Sequence, residues 1–391
     1  MGISVRGIFP TFNNLRLNAP VLLKYDWSNS SSVKVLSSDQ AISRFGAATA
    51  ISGDGSTMVV GAPQYQSNRG EAFIYRWNGS TWQFKQRIDN PQGFSNAYFG
   101  ISVSISYNGN DVVIGCSGAS VSNTPCGAAY VYRTTNGTTW SLNATLSPDN
   151  RENQQRFGVT VAMSADGLRV VVGSNTYGGS YQYGALYSYT KIGSTWGQRQ
   201  FIENPYQGVG AQMGYRLKMT DDGSTVVTTS KTGSDEITIY IYSLNGSTYE
   251  VYKTFTRNAS SLSQINIAIS KLTNDTMFVG DGFSNTVWIY RKTGLTWKLL
   301  THVTPPDAKS FNGAVGTDGS GSVVIAGATS NSGHVFVNAQ GIKWSAVDTF
   351  SGLISTNDAI SLTLDGNIAA IGASGDNTSR GSVIVYTAPE R

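Results

Sequence analysis

Charge, histidine, cysteine and long apolar runs are all scarce in this chain. Only 13% of its 391 residues are Asp, Glu, Lys or Arg, about half the roughly 25% of an average soluble protein. There are two histidines and two cysteines. Imidazole is the side chain that exchanges protons near neutrality, so catalysis built on histidine has little material here. No Cys/His spacing suits zinc, and two cysteines cannot make a disulfide framework. No phosphate-cradling loop, nucleophile elbow or dinucleotide fingerprint occurs. No apolar run approaches the roughly 18 residues of a membrane helix. The first residues, Met1-Gly2-Ile3-Ser4-Val5-Arg6, lack a basic segment followed by an apolar stretch, so no signal peptide is expected. The net charge of +4 is spread out and does not mark a nucleic-acid partner.

What is abundant is glycine, 44 residues without a collagen period, in a chain that is 40% hydrophobic and can build a large core. The glycines belong to an internal repeat. Phe45-Gly46, Asp54-Gly55, Val59-Val60-Gly61-Ala62-Pro63 and Phe73-Ile74-Tyr75 return as Phe99-Gly100, Asn108-Gly109, Val112-Val113-Ile114-Gly115 and Tyr130-Val131-Tyr132. They return again as Phe157-Gly158, Asp166-Gly167, Val170-Val171-Val172-Gly173 and Leu186-Tyr187. Fainter copies centre on Asp222-Gly223, Asn274-Asp275, Asp318-Gly319 and Asp365-Gly366, which brings the total to seven. A second marker agrees. Gly79, Gly137, Gly193, Gly246, Gly294 and Gly341 are each followed three residues later by an aromatic: Trp82, Trp140, Trp196, Tyr249, Trp297 and Trp344. Asn-Gly pairs such as Asn78-Gly79 suit two-residue hairpins, and the aromatic then opens the return strand, where its ring can cover the neighbouring unit.

Each repeat reads as four short strands, a to d. The pattern predicts an all-β fold: a seven-bladed β-propeller of four-stranded antiparallel blades. A row of separate domains is disfavoured, since one sheet of about 50 residues cannot cover both its faces. The last repeat stops after strand c (Val383 to Tyr386), so Val33-Lys34-Val35-Leu36 is expected to supply its strand d and close the ring. Tyr25-Asp26-Trp27 competes for a place in that blade because it looks like the strand-c segment Tyr75-Arg76-Trp77. Residues 1–20 match no repeat and read as an N-terminal arm, leaving 21–391 to the propeller.

These motifs resemble the FG-GAP repeat of integrin α chains and of many bacterial and viral surface proteins. Phe45-Gly46 with Gly61-Ala62-Pro63 matches both halves of that name, and Phe99-Gly100 and Phe157-Gly158 match the first. The resemblance implies a binding, adhesive or structural role, usually outside the cell. Calcium-binding copies in the family carry carboxylates at alternate positions before the turn glycine, as a hard cation requires. Here the residue two before the Asp or Asn is Ser52, Ser106, Ser164, Thr220 or Thr363, and that four before it is Ala50, Ser104, Ala162, Lys218 or Ser361. A lone carboxylate beside a hydroxyl makes a local turn hydrogen bond, so no metal and no other cofactor is expected.

No catalytic residue is assigned. Glu71, Glu152 and Glu203 are scattered acids, and His302 and His334 have no partner pattern, so they read as surface or edge histidines. Cys116 and Cys126 flank the b–c loop of the second repeat. The ends of such a loop can come within the roughly 7 Å between Cα atoms that a disulfide needs, which would contribute about 2–3 kcal/mol; two free thiols are the equal alternative. In a four-stranded blade the a–b and c–d turns share one face, and the longer b–c and d–a segments share the other. Function gathers on such loops, and this face carries Phe94, Tyr98, Tyr177, Tyr181, Tyr183 and Tyr206 as candidate ligand-binding residues. Tyrosine offers an apolar face and a hydroxyl to sugar or protein, although the more ordinary expectation is that these rings pack loop against loop. The reading is a non-enzymatic structural or attachment protein on a virion or other extracellular surface. Its partners would be other structural proteins of the particle, with a host glycan or receptor, and no nucleic acid or membrane span. A hydroxyl-, Asn- and Gly-rich surface of low charge and the lack of an export signal favour it. A cell-surface adhesin or lectin-like module comes second and a glycan-active enzyme third.

Overall fold

A computed structural model describes residues 25–26, 28, 30–37, 43–306, 311–328, 331–338, 343–353, 359–375 and 380–390. They form seven four-stranded antiparallel sheets. Blade 2 shows the plan, with strands Phe99–Ile105, Asp111–Cys116, Ala128–Arg133 and Ser141–Leu146 from the axis outward. The seven innermost strands, Ala48–Ile51, Phe99–Ile105, Phe157–Met163, Leu217–Met219, Ile265–Ile269, Phe311–Thr317 and Ile360–Leu362, surround a central channel. Among the described residues no helix is long and apolar enough to cross a membrane.

The burial follows from the stacking. Strand b is buried at every position in Thr57–Ala62, Asp111–Cys116 and Thr276–Asp281, because a neighbouring blade covers each face of the sheet and no alternation is needed. The outermost strand Ser141–Leu146 is exposed at four of its six residues. Buried apolar side chains fall into seven clusters, and each takes residues from two adjacent blades. The cluster between blades 1 and 2, for example, joins Val59, Ile74 and Ile88 to Phe99, Ile114, Tyr130 and Trp140. The core therefore lies between the sheets, and a blade removed from the ring would expose it.

Two halves of the repeat motif meet at these junctions. A Cβ on Gly61 would stand 2.0 Å from the carbonyl oxygen of Gly100, itself at φ +85°. The same contact joins Gly115 to Gly158 (2.0 Å), Gly173 to Gly214 (2.4 Å), Gly280 to Gly313 (1.9 Å) and Gly372 to Gly46 (1.9 Å). Backbone lies directly on backbone, which only glycine permits.

Ring closure is as the repeat pattern predicts. Ser31–Ser37 pairs antiparallel with Ser382–Thr387 as strand d of blade 7, with a register shift between Lys34 and Leu36. Tyr25 does not compete for that place. It forms an isolated bridge to Glu390, donates its hydroxyl to Asp365 Oδ2 at 2.9 Å, and packs its ring into the cluster between blades 6 and 7. The N-terminal arm, residues 1–20, lies outside the described residues. One register is corrected. The sixth a–b turn is centred on Gly321 (φ +71°), the counterpart of Gly55 (φ +70°), and not on Gly319.

Candidate binding face

On the turn face, side chains bond locally. Ser52 Oγ donates to Asp54 Oδ1 at 2.5 Å, Ser164 Oγ to Asp166 at 2.6 Å, and Thr220 and Thr363 to Asp222 and Asp365 at 2.7 Å. The same carboxylate oxygens accept backbone N–H groups, as Asp54 does from Ser56 and Asp222 from Ser224. These are the hydroxyl–carboxylate turns that the residue pattern implies. In blade 6 the pair changes places: Asp318 sits at the buried hydroxyl position and Ser320 donates to it, while Ser322 N and Val323 N bond its Oδ1 at 2.8 and 2.9 Å. The exchange reverses the electrostatics. Burial pushes the Asp318 carboxyl above its ordinary range, beyond what hydrogen bonds from Ser320, Val323 and Ser322 pull back. At Asp222 burial also pushes upward, but hydrogen bonds from Ser224, Thr220 and Asn274 outweigh it and hold the group low.

Two of the aromatics that follow the c–d turns, Trp140 and Tyr249, cap the same face. Trp140 Nε1 donates to Gly109 O at 3.1 Å, and Tyr249 OH to Gly223 O at 2.6 Å, so each ring caps the a–b turn of its own blade. Both rings also belong to interblade clusters. A glutamine from the preceding blade clamps the backbone beside them. Gln86 accepts from Trp140 N and donates to Trp140 O (2.6 and 3.0 Å), and Gln200 does the same at Tyr249 (2.6 and 3.0 Å).

The opposite face carries the loops. Tyr181 and Tyr183 stack, with ring centroids 5.4 Å apart and planes within 2° of parallel. Their b–c loop is fastened to the d–a segment of the same blade: Gly210 N, Gln212 N and Met213 N donate to the carbonyls of Tyr181, Gln182 and Tyr183 at 2.7, 2.9 and 3.0 Å. Tyr206, 40% exposed, lies on that d–a segment. A Cβ on Gly208 would be 2.1 Å from the Tyr206 ring, so the ring lies directly over the glycine. Tyr177 instead packs edge-on against Phe201 at 5.0 Å, and burial, with Glu152 nearby, raises its phenol. Phe94 is 60% exposed on the first d–a loop. Tyr98, half-buried at φ +55°, donates its N–H to Asn68 O at 2.8 Å within the turn before Phe99.

Cys116 and Cys126 are buried free thiols. Cys116 Sγ donates to Ala97 O at 3.2 Å and Cys126 Sγ to Gly127 O at 3.4 Å. Burial pushes both thiols up. Glu71 is buried in blade 1 with Arg87 at 3.6 Å, whereas Glu152 accepts from Gly178 N at 2.8 Å and holds the blade 3 loop. His334 is not at a surface but 1% exposed, with Nδ1 3.3 Å from Thr349 Oγ1.

Residues 82–132 match the family model of the FG-GAP repeat. That segment runs from strand d of blade 1 through strand c of blade 2, the same frame that leaves an N-terminal strand to close the ring. The fold is a seven-bladed β-propeller that carries an FG-GAP repeat at this segment. Among solved structures, the β-propeller domain of Cps50 (Swd1) from Myceliophteria thermophila is similar, with a TM-score of 0.63 at 10% identity over 92% of this chain and 99% of that one. At that identity the likeness concerns the fold alone. No curated protein matches the sequence. A β-propeller with an FG-GAP repeat points to a binding or structural module.

Sequence reasoning passed over one place on this face, the channel mouth, whose lining includes Arg44, Arg156, Arg216 and Lys218. Its signal was available: Lys218 occupies the strand-a position held by Ala50, Ser104, Ala162 and Ser361.

Proposed function

We propose that the chain acts by binding and not by catalysis, as a structural or attachment protein on the surface of an extracellular particle, a virion. Its loop face is turned outward to a protein or glycan partner. The observation that supports this most is the tyrosine shelf of blade 3. Tyr181, 56% exposed, is stacked on Tyr183, and a backbone ladder ties its loop to the d–a segment that carries Tyr206. Rings already ordered lose little conformational entropy on contact, which favours affinity, and tyrosine is well suited to a wet, amphipathic interface.

Two measurements test the reading. Immunogold labelling of purified particles should decorate their surface; particles free of the chain would refute the location. A glycan array together with co-purification from the native source should return a ligand whose binding drops about tenfold or more in Tyr181→Ala and Tyr206→Ala, as central aromatic contacts do. Undiminished binding in both variants would move the contact away from this shelf.

A further inference from the structure

One irregularity recurs in all seven blades. Strands b and c pair without a break in each of them. Strands a and b break register in blades 2, 3 and 6, at the entry turn. Strands c and d break register in every blade. In blades 1 to 6 the break falls at one place, beside the strand-c aromatic Tyr75, Tyr132, Tyr189, Tyr242, Tyr290 or Phe336. In blade 7, whose strand d comes from the other end of the chain, it lies between Lys34 and Leu36, two residues nearer the loop face. Blade 1 shows the form. Tyr75 stands opposite Phe84 and Ile74 opposite Gln86, so Lys85 is left out of the pairing. An extra residue on one strand is a β-bulge, which bends that strand and raises its twist.

The place of the bulge matters because strand d is the outermost strand. Among the described residues it pairs only with strand c, so its outer row of backbone groups faces away from the blade. These edges are long: Trp82–Asp89, Thr248–Asn258 and Thr296–Val303 have 8, 11 and 8 residues, against about 5–6 in a usual strand. They also carry apolar surface, with Phe84, Leu142, Val251, Leu299 and Leu300 between 43% and 56% exposed. A long apolar edge is a template for one more strand. The bulge divides it. In blade 1 three paired residues, Trp82 to Phe84, precede Lys85, and four, Gln86 to Asp89, follow it. A strand arriving from outside meets two short edges at an angle, and not one straight row of donors and acceptors.

We propose that the bulge guards the outer edge of each blade, so that the rim of the ring does not take up a strand from a second copy of this chain. The bulge can be removed without turning the side chains around it. Tyr75 and Ile74 are consecutive, so deletion of Lys85 makes Phe84 and Gln86 consecutive in a regular ladder, each on its present face, with Gln86 still toward Trp140. Deletion of Leu300 does the same between Leu299 and Thr301 in blade 5. Sedimentation velocity of the full chain over about 1–100 µM, a range in which unpaired strand edges associate, reads the result. Each deletion should lower the dissociation constant for self-association at least about tenfold, the effect of one or two added backbone hydrogen bonds, with the parent's circular dichroism spectrum retained. Lys85→Ala keeps the extra residue and removes a charge that also discourages edge pairing. It should sediment as the parent does, which separates residue count from charge. Hydrogen exchange of the parent chain gives a readout that needs no variant: outer-strand amides should exchange at one rate at low and high protein concentration. A folded deletion variant that associates no more than the parent would overturn the proposal. So would Lys85→Ala associating as strongly as the deletion, or outer-strand protection in the parent that grows with concentration.

Discussion

The junctions among blades 1, 2, 3 and 4 and the junction between blades 4 and 5 close the same ring with different residues. In the first group a strand-b glycine lies under the carbonyl of the next blade's entry turn, Gly61 under Gly100, Gly115 under Gly158 and Gly173 under Gly214. Between blades 4 and 5 both glycines are missing: Thr229 stands in strand b, and Gln264 stands where the next entry glycine would be. Blade 5 enters instead through the 3-10 turn Leu262–Gln264. Leu262 supplies the apolar side chain to the interblade cluster that Phe99 and Phe157 supply elsewhere. The glycine pair is thus one device for laying backbone on backbone, and between blades 4 and 5 both of its members are absent.

The comparison can be broken most strongly at Gly115. Gly115→Val forces a side chain into the Gly158 carbonyl, and neither backbone can retreat without parting two blades. A loss of about 3 kcal/mol or more is expected, as for severe overpacking, measured by urea denaturation. Thr229→Gly, the reverse change at the junction that does without glycine, should cost only about 1 kcal/mol through added backbone freedom. Equal losses would remove the distinction between the two junctions. A middle-sized effect is expected at the glutamine clamp. Gln86→Leu leaves the Trp140 backbone groups without their partner and should cost about 1–2 kcal/mol, while Gln83→Leu on the same strand should cost little.

The smallest effects sharpen the contrast between the turns of blades 4 and 6, and they have opposite signs. Asp222 is held low in the folded chain, so its stabilisation is present above the unfolded carboxyl value of about 3.9 and is lost as pH falls through its folded value. Asp318 is raised, so the folded chain binds its proton more tightly than the unfolded chain does. Its ionisation therefore costs stability as pH rises from the unfolded value through the folded one. Melting temperatures measured across the acid range should show Asp318→Asn removing a fall in stability with rising pH, and Asp222→Asn removing a rise. Parallel profiles for the two variants would contradict the exchanged placement of acid and hydroxyl.

The architecture was legible because its causes are local. Asn-Gly hairpins, a turn glycine with an aromatic three residues on, and Val/Ile runs for strands covered on both faces all print directly into sequence. The closing strand was readable from the missing strand d of the last repeat. The sixth turn was misplaced because Asp318-Gly319 imitates the Asp-Gly of the other repeats, while the hydrogen bonding uses Ser320-Gly321. The place of Tyr25 depends on Asp365, 340 residues away, and no local pattern carries that. The candidate face was only partly legible. Loop length separated the loop face from the turn face, yet which tyrosines are exposed and which, like Tyr177, pack inward is decided by contacts between loops. The cations that line the channel mouth come from three blades and become apparent only when Lys218 is compared with its small counterparts.

Native-state hydrogen exchange tests the central claim, that the core lies between blades and that both kinds of junction hold one ring. The amides to follow belong to the buried strands b: Val59, Val113, Val171, Val227, Phe278, Ile325 and Ala370. The account predicts that protected amides in all seven exchange through a single global opening with a common free energy. Opening of one blade, or of blades 4 to 6 as a group, at clearly lower free energy while the others stay closed would contradict it.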